Sequence, residues 1–147
     1  MIKKLFNKLF NINPNAISFK QGYDLTNLTV CTFYQGEEKL NLLLDSGSTH
    51  CIIDKNILDK IKHEFTNSQS SLYGLEGKKN IVPICKIPIS YKEQVYEFEY
   101  LVKDMKVPFE QIKAETGVTL HGILGTNFFN KFKYVIDFDE LIAYSKA

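Results

Sequence analysis

Residues 40–54 read Leu-Asn-Leu-Leu-Leu-Asp-Ser-Gly-Ser-Thr-His-Cys-Ile-Ile-Asp, and this stretch decides the fold. The apolar run Leu42, Leu43, Leu44 stops abruptly at Asp45-Ser46-Gly47-Ser48, and a second apolar run, Cys51, Ile52, Ile53, follows. Short apolar runs bounded by turn residues predict strands buried on both faces. The pattern therefore drives the Asp45 carboxylate into the interior on a Ser-Gly-Ser turn. Burying a charge is costly unless it is hydrogen-bonded or shares a proton, so a use for Asp45 is expected.

Working outward, residues 27–34 alternate β-branched and aromatic side chains and predict a strand. Gln35-Gly36-Glu37-Glu38 is a turn, and the return strand at 39–44 delivers Asp45 to its loop. On the other side, Asp54 is placed to cap a short helix whose buried face is Ile57, Leu58 and Ile61. Two extended arms, near Leu72-Tyr73 and Ile81-Val82, flank a tip containing Gly74, Leu75, Glu76 and Gly77. Glycines in such a tip permit positive φ. Two further strands fill 84–102 around Lys92-Glu93-Gln94, with Tyr96, Phe98 and Tyr100 alternating against Glu97 and Glu99. A short helix is expected at 109–115, ended by Gly117, and a strand at 118–124. A helix at 126–132 buries Phe128, Phe129 and Phe132, and 134–138 and 141–144 form a closing hairpin through Asp139-Glu140.

Composition narrows the classes. The 147 residues suffice for one ordinary domain with a real core, and 44% hydrophobic with 24% charged residues is typical of globular proteins. A net charge of +1 gives no footprint for nucleic acid, and none is expected as a partner. The three cysteines, Cys31, Cys51 and Cys85, lack CxxC spacing and sit in apolar stretches, so they are read as small core residues in a reducing compartment. Metal and cofactor motifs are absent: no i, i+4 pair of His or Cys, no P-loop and no dinucleotide fingerprint. His50, His63 and His121 are read as surface or edge groups. His50 adjoins Cys51, but neighbours on a strand point to opposite faces, which argues against a dyad.

Residues 1–15 are read as a separate amphipathic helical segment, with a single domain expected at 16–147. Ile2, Leu5, Phe6, Leu9 and Phe10 share one helical face, away from Lys3, Lys4 and Lys8. Lys8 interrupts any signal-peptide core, and no apolar run is long enough to span a bilayer. A cytoplasmic protein is expected, with this helix packed on the domain or on its dimer partner. A membrane-surface or partner-binding helix is the less favoured alternative.

Apolar-apolar-Asp-Ser-Gly-Ser resembles the catalytic loop of aspartic proteases. The segment Gly122-Ile123-Leu124-Gly125-Thr126-Asn127-Phe128-Phe129 is similar to the strand, glycine and short helix that follow it in retropepsin-like proteases, here about 80 residues downstream. The resemblance spans roughly 27–145 and points to the cellular and bacterial single-domain members. It implies an all-β, closed-barrel acid-protease fold with short helices, and an aspartic endopeptidase that cuts peptide or protein substrates. Two carboxylates sharing one proton do that chemistry, and the chain carries a single Asp-Ser-Gly motif, so the second is expected from a second copy in a homodimer. The resemblance assigns catalysis to Asp45, a grip across the two loops to the Ser46 hydroxyl, and a flap to Tyr73, Gly74, Leu75, Glu76 and Gly77. Gly47 lets its amide approach the carboxylate, and Ser48 is expected to hydrogen-bond it. Asp137 and Asp139 lack the glycine turn and are read as surface turn residues. The Arg–acid brace of viral members is missing, its positions held by Thr126 and Thr49-His50. The rival reading is a non-catalytic retropepsin-like module that dimerises or adds extended peptides as a strand.

Overall fold

The structure, a computed structural model, describes residues 16–73 and 79–145 together with Ile2. The amphipathic face read at 1–15, Ile2 excepted, and the hairpin tip at 74–78 lie outside the described residues.

The architecture grows from the hairpin β2 (Val30–Gln35) and β3 (Glu38–Leu44), which follows the short first strand β1 (Ile17–Ser18). Alternation in β3 turns Leu40, Leu42 and Leu44 inward, and each is at most 5% exposed. Gly36 takes φ +59° as the first central residue of the two-residue turn, as a II′ connection requires. That turn sets the register, Val30 opposite Leu43 through Gln35 opposite Glu38.

β3 pairs in parallel with β8 (Gly122–Leu124), and β8 runs antiparallel to β4 (Ile52–Asp54). β4 lies parallel to β7 (Gln94–Lys103), which pairs with β6 (Lys79–Tyr91), and β6 with β5 (Glu64–Tyr73). Tyr34 of β2 meets Ser90 of β6, and the Ser90 hydroxyl donates to the Tyr34 carbonyl at 3.0 Å. This last pairing closes β2-β3-β8-β4-β7-β6 into a six-stranded barrel with β5 as an overhanging arm. The closed barrel predicted for the chain is therefore present. Its interior is filled by Phe33, Leu40, Leu42, Ile87, Ile89, Tyr96 and Tyr100 with Cys31, Cys51 and Cys85, the thiols buried and free as expected. Burial pushes the Cys51 thiol up to about 12 and the Cys85 thiol up to about 11, so neither is a thiolate near neutrality.

Asp54 caps the 3-10 helix Lys55–Lys60 through the Asn56 amide, and Ile57, Leu58 and Ile61 are buried as read. The helix α2 (Lys106–Thr116) starts three residues earlier than its pattern suggests and ends at Gly117, whose φ is +79°. The helix α3 (Thr126–Phe132) keeps its predicted bounds. Phe128 is buried, Phe129 and Phe132 partly so, in an aromatic cluster where Phe128 stacks on Tyr134 at 6.0 Å between centroids.

Three regions depart from the expectation. Residues 16–26 form β1 and the helix α1 (Lys20–Thr26), neither legible as periodicity. Ile17 and Phe19 drive this segment into the core, at 1% and 0% exposure, and Gly22 is required because a Cβ there would lie 2.1 Å from the Val30 carbonyl oxygen. The strand expected from 27 starts only at Val30, since Asn27 is the left-handed cap of α1. The strand expected at 118–124 shrinks to Gly122–Leu124, because Thr119 and His121 instead bond Asn41: the Asn41 side-chain amide donates to the Thr119 carbonyl, and the His121 amide to the Asn41 carbonyl, both at 2.9 Å.

The chain ends in a second sheet, ordered β1-β10-β9, from β9 (Tyr134–Asp137) and β10 (Ile142–Ser145). Asp137 accepts the amides of Asp139 and Glu140, so it is the turn residue predicted, and Asp139 is exposed.

Candidate active site

Asp45 sits where β3 runs out. Its amide donates to the Leu124 carbonyl at 2.9 Å, continuing the parallel ladder one residue past the strand. Oδ1 accepts the Gly47 amide at 2.9 Å, and the Ser48 amide closes the turn on the Asp45 carbonyl at 3.2 Å. A Cβ on Gly47 would stand 3.1 Å from Oδ1, so the bare glycine leaves that close approach open, as expected.

Two expectations about this loop are corrected. Asp45 is half-buried, not sunk in the core. The fully sheltered carboxylate of the stretch is Asp54, 8% exposed and satisfied by the Asn56 amide, the Asn56 side chain at 2.8 Å and the Met105 amide at 3.0 Å. A polar loop leaving a strand end lifts its acid toward solvent, whereas the acid ending β4 is roofed by the entry to α2. Nor does Ser48 bond the carboxylate: its hydroxyl donates to the His50 carbonyl at 2.7 Å, bracing the far side of the loop. Ser46 is exposed.

The loop locks into the second signature. The Thr126 amide donates to the Ser48 carbonyl at 2.8 Å. A Cβ on Gly125 would meet the His50 carbonyl oxygen at 2.5 Å and that of Ser48 at 2.7 Å, so only glycine lets the strands come this close. Beneath them the Cys51 thiol accepts the Gly125 amide and donates to the Asn127 side chain, both at 3.4 Å. The two motifs are thus one interlocked unit, brought together by β3, β4 and β8. Upstream, a contact that periodicity did not single out holds the same loop: the Thr29 hydroxyl donates to the Leu44 carbonyl at 2.6 Å. The two-residue turn at Gly36-Glu37 places Thr29 opposite Leu44, and that register was the available signal.

Tyr73 ends β5, paired with Lys79 across the hairpin, so the two arms of that hairpin are paired. Gly74, Leu75, Glu76 and Gly77 lie outside the described residues.

The histidines serve the scaffold. The His50 ring bonds the Thr49 hydroxyl, and the His63 ring lies 2.9 Å from the Ile61 carbonyl. His121 is half-buried: its Nδ1 accepts the Asn41 amide at 2.9 Å, while its own carbonyl accepts the Asp54 amide. Burial holds its pKa below the ordinary histidine value; Asp54 and Glu38 pull it upward and Lys60 pushes it down. A neutral histidine in the folded chain binds fewer protons than in the unfolded one once pH falls below about 6.5. Its contribution to stability is therefore full above that pH and declines as acid protonates the unfolded state. Denaturant titrations at several pH values between about 7 and 5 are expected to show His121→Gln flattening the decline. An unchanged slope would assign the acid sensitivity to other groups.

No family model matches the chain, and no curated protein matches it. Among solved structures, it is similar to the retroviral protease-like domain of Ddi1 from Leishmania major, with a TM-score of 0.53 and 12% identity over 82% of this chain and 90% of that one. The chain therefore has the retropepsin-like, acid-protease fold.

Proposed function

We propose that this chain is an aspartic endopeptidase active as a homodimer, with one Asp45 from each copy sharing a proton around the attacking water. The observation that carries the reading is the interlock of the Asp-Ser-Gly-Ser turn with Gly125-Thr126, which presents a half-buried carboxylate at a strand end of a retropepsin-like barrel. In that arrangement one carboxylate takes a proton from water as the other donates to the substrate carbonyl oxygen. Asp137 is spent on its own turn and Asp139 lies beside it, which leaves the partner's Asp45 as the natural second acid.

The same reading extends to where a second copy would sit. β10, which holds most of the 141–144 segment, is central, paired with β1 on one side and β9 on the other. A second copy would approach the outer edges of β1 and β9. Specific activity is expected to fall as the protein is diluted below its dimer dissociation constant, and excess Asp45→Asn chains should poison wild type by forming one-carboxylate heterodimers. Activity assays run beside sedimentation at matched concentrations check both. A fully active monomer would overturn the reading.

A further inference from the structure

We infer that Thr29 is a positioning residue for Asp45, its hydroxyl holding the peptide group that aims the carboxylate; this rests on the aspartic-protease reading above.

The peptide unit between Leu44 and Asp45 is held from both ends. Its N–H, on Asp45, donates to the Leu124 carbonyl at 2.9 Å. Its C=O, on Leu44, accepts the Thr29 hydroxyl at 2.6 Å. A peptide unit is planar, so two opposed hydrogen bonds leave it little freedom to tip about the chain axis. That tilt sets where the Cα–Cβ bond of Asp45 points.

The rung is unusual in its construction. The Leu44 amide donates to the Thr29 carbonyl at 2.8 Å, the usual half of an antiparallel hydrogen-bonded pair. The reciprocal bond to the Leu44 carbonyl comes from the Thr29 side chain. β2 proper begins at Val30, where the ladder resumes with Leu43. One hydroxyl thus completes the last rung before the catalytic loop, and it can be removed without breaking the sheet below it. The bond lies within one chain, so each copy would carry a pre-set Asp45 before meeting its partner, and the exposed Ser46 hydroxyl stays available for the cross-chain grip.

Thr29 touches no substrate in this assignment, so its loss should act on turnover and not on binding. Displacing a reacting group by about 1 Å costs on the order of a hundredfold in rate. Thr29→Val, which keeps the shape and removes the hydroxyl, is expected to lower kcat about 10- to 100-fold with KM within about twofold. Thr29→Ser, which keeps the hydroxyl, should restore kcat to within a few-fold. The accompanying measurement is amide hydrogen exchange. The Asp45 amide should exchange about tenfold faster in Thr29→Val, as loss of one net hydrogen bond implies, while Leu40 and Leu42 amides stay protected. If Thr29→Val does not fold, Thr29→Ala removes the same hydroxyl with less bulk. An active wild type with unchanged kcat in the hydroxyl-less variant, or equal losses in the valine and serine variants, overturns the inference. A wild type inert toward peptides, under conditions where it sediments as a dimer, overturns the protease reading instead.

Discussion

Asp45→Asn is expected to lower peptide hydrolysis by about a thousandfold, the range associated with losing a general acid–base group. The amide keeps the shape of the carboxylate and can still accept the Gly47 N–H through its oxygen, so the 2.9 Å contact survives. It can neither take a proton from water nor share one with its twin. Circular dichroism and denaturant midpoints should remain close to wild type, because the residue is half-buried and its loop is held by backbone bonds from Leu124 and Thr126. Turnover of a cleavable peptide library, wild type beside variant, measures the effect; near-normal cleavage by Asp45→Asn would end the assignment.

Gly125→Ala is expected to be the most damaging single methyl group in the site. The new carbon would lie 2.5 Å from the His50 carbonyl oxygen and 2.7 Å from that of Ser48. Both are backbone atoms, so relief requires parting the loop from α3 and giving up the Thr126–Ser48 hydrogen bond. Overpacking of this kind costs about 3 kcal/mol, which for a chain of this size lowers Tm by roughly 10 °C. Gly117→Ala makes the control: nothing lies within 4 Å of its added carbon, and the cost is only that of φ +79°, about 1 kcal/mol. Thermal unfolding of the two variants ranks them; a Gly125→Ala protein as stable as Gly117→Ala would mean the loop and the glycine are not interlocked.

The features legible in the sequence are those written in local chemistry. The hairpin leading to Asp45 announces itself by alternation and a glycine turn, and α3 by three phenylalanines at helical spacing after Gly125. The Gly47 amide contact follows from the turn alone. What stayed hidden depends on partners remote in the chain. α1 has a glycine in its middle and no capping side chain, and it exists because Ile17 and Phe19 have a core to enter. Ser48 bonds the His50 carbonyl because the loop doubles back over Gly125, a path no turn motif specifies. The exchange of roles between Asp45 and Asp54, one open and one roofed, follows from where α2 begins, some fifty residues later. His121 looked like an edge group because nothing nearby in sequence marks Asn41 as its partner.

The pairing of β1 with β10 bears on how the chain is made. Ile17 registers with Ala143, and the Phe19 amide donates to the Leu141 carbonyl. The ribosome adds roughly 5–20 residues per second, so Ile17 and Phe19 leave it well before β10 does. Until β10 emerges, Ile17 and Phe19, both fully covered in the finished fold, have no strand to lie against. A nascent chain therefore carries this uncovered apolar segment for several seconds, during which a chaperone or a neighbouring nascent chain can reach it before β10 does.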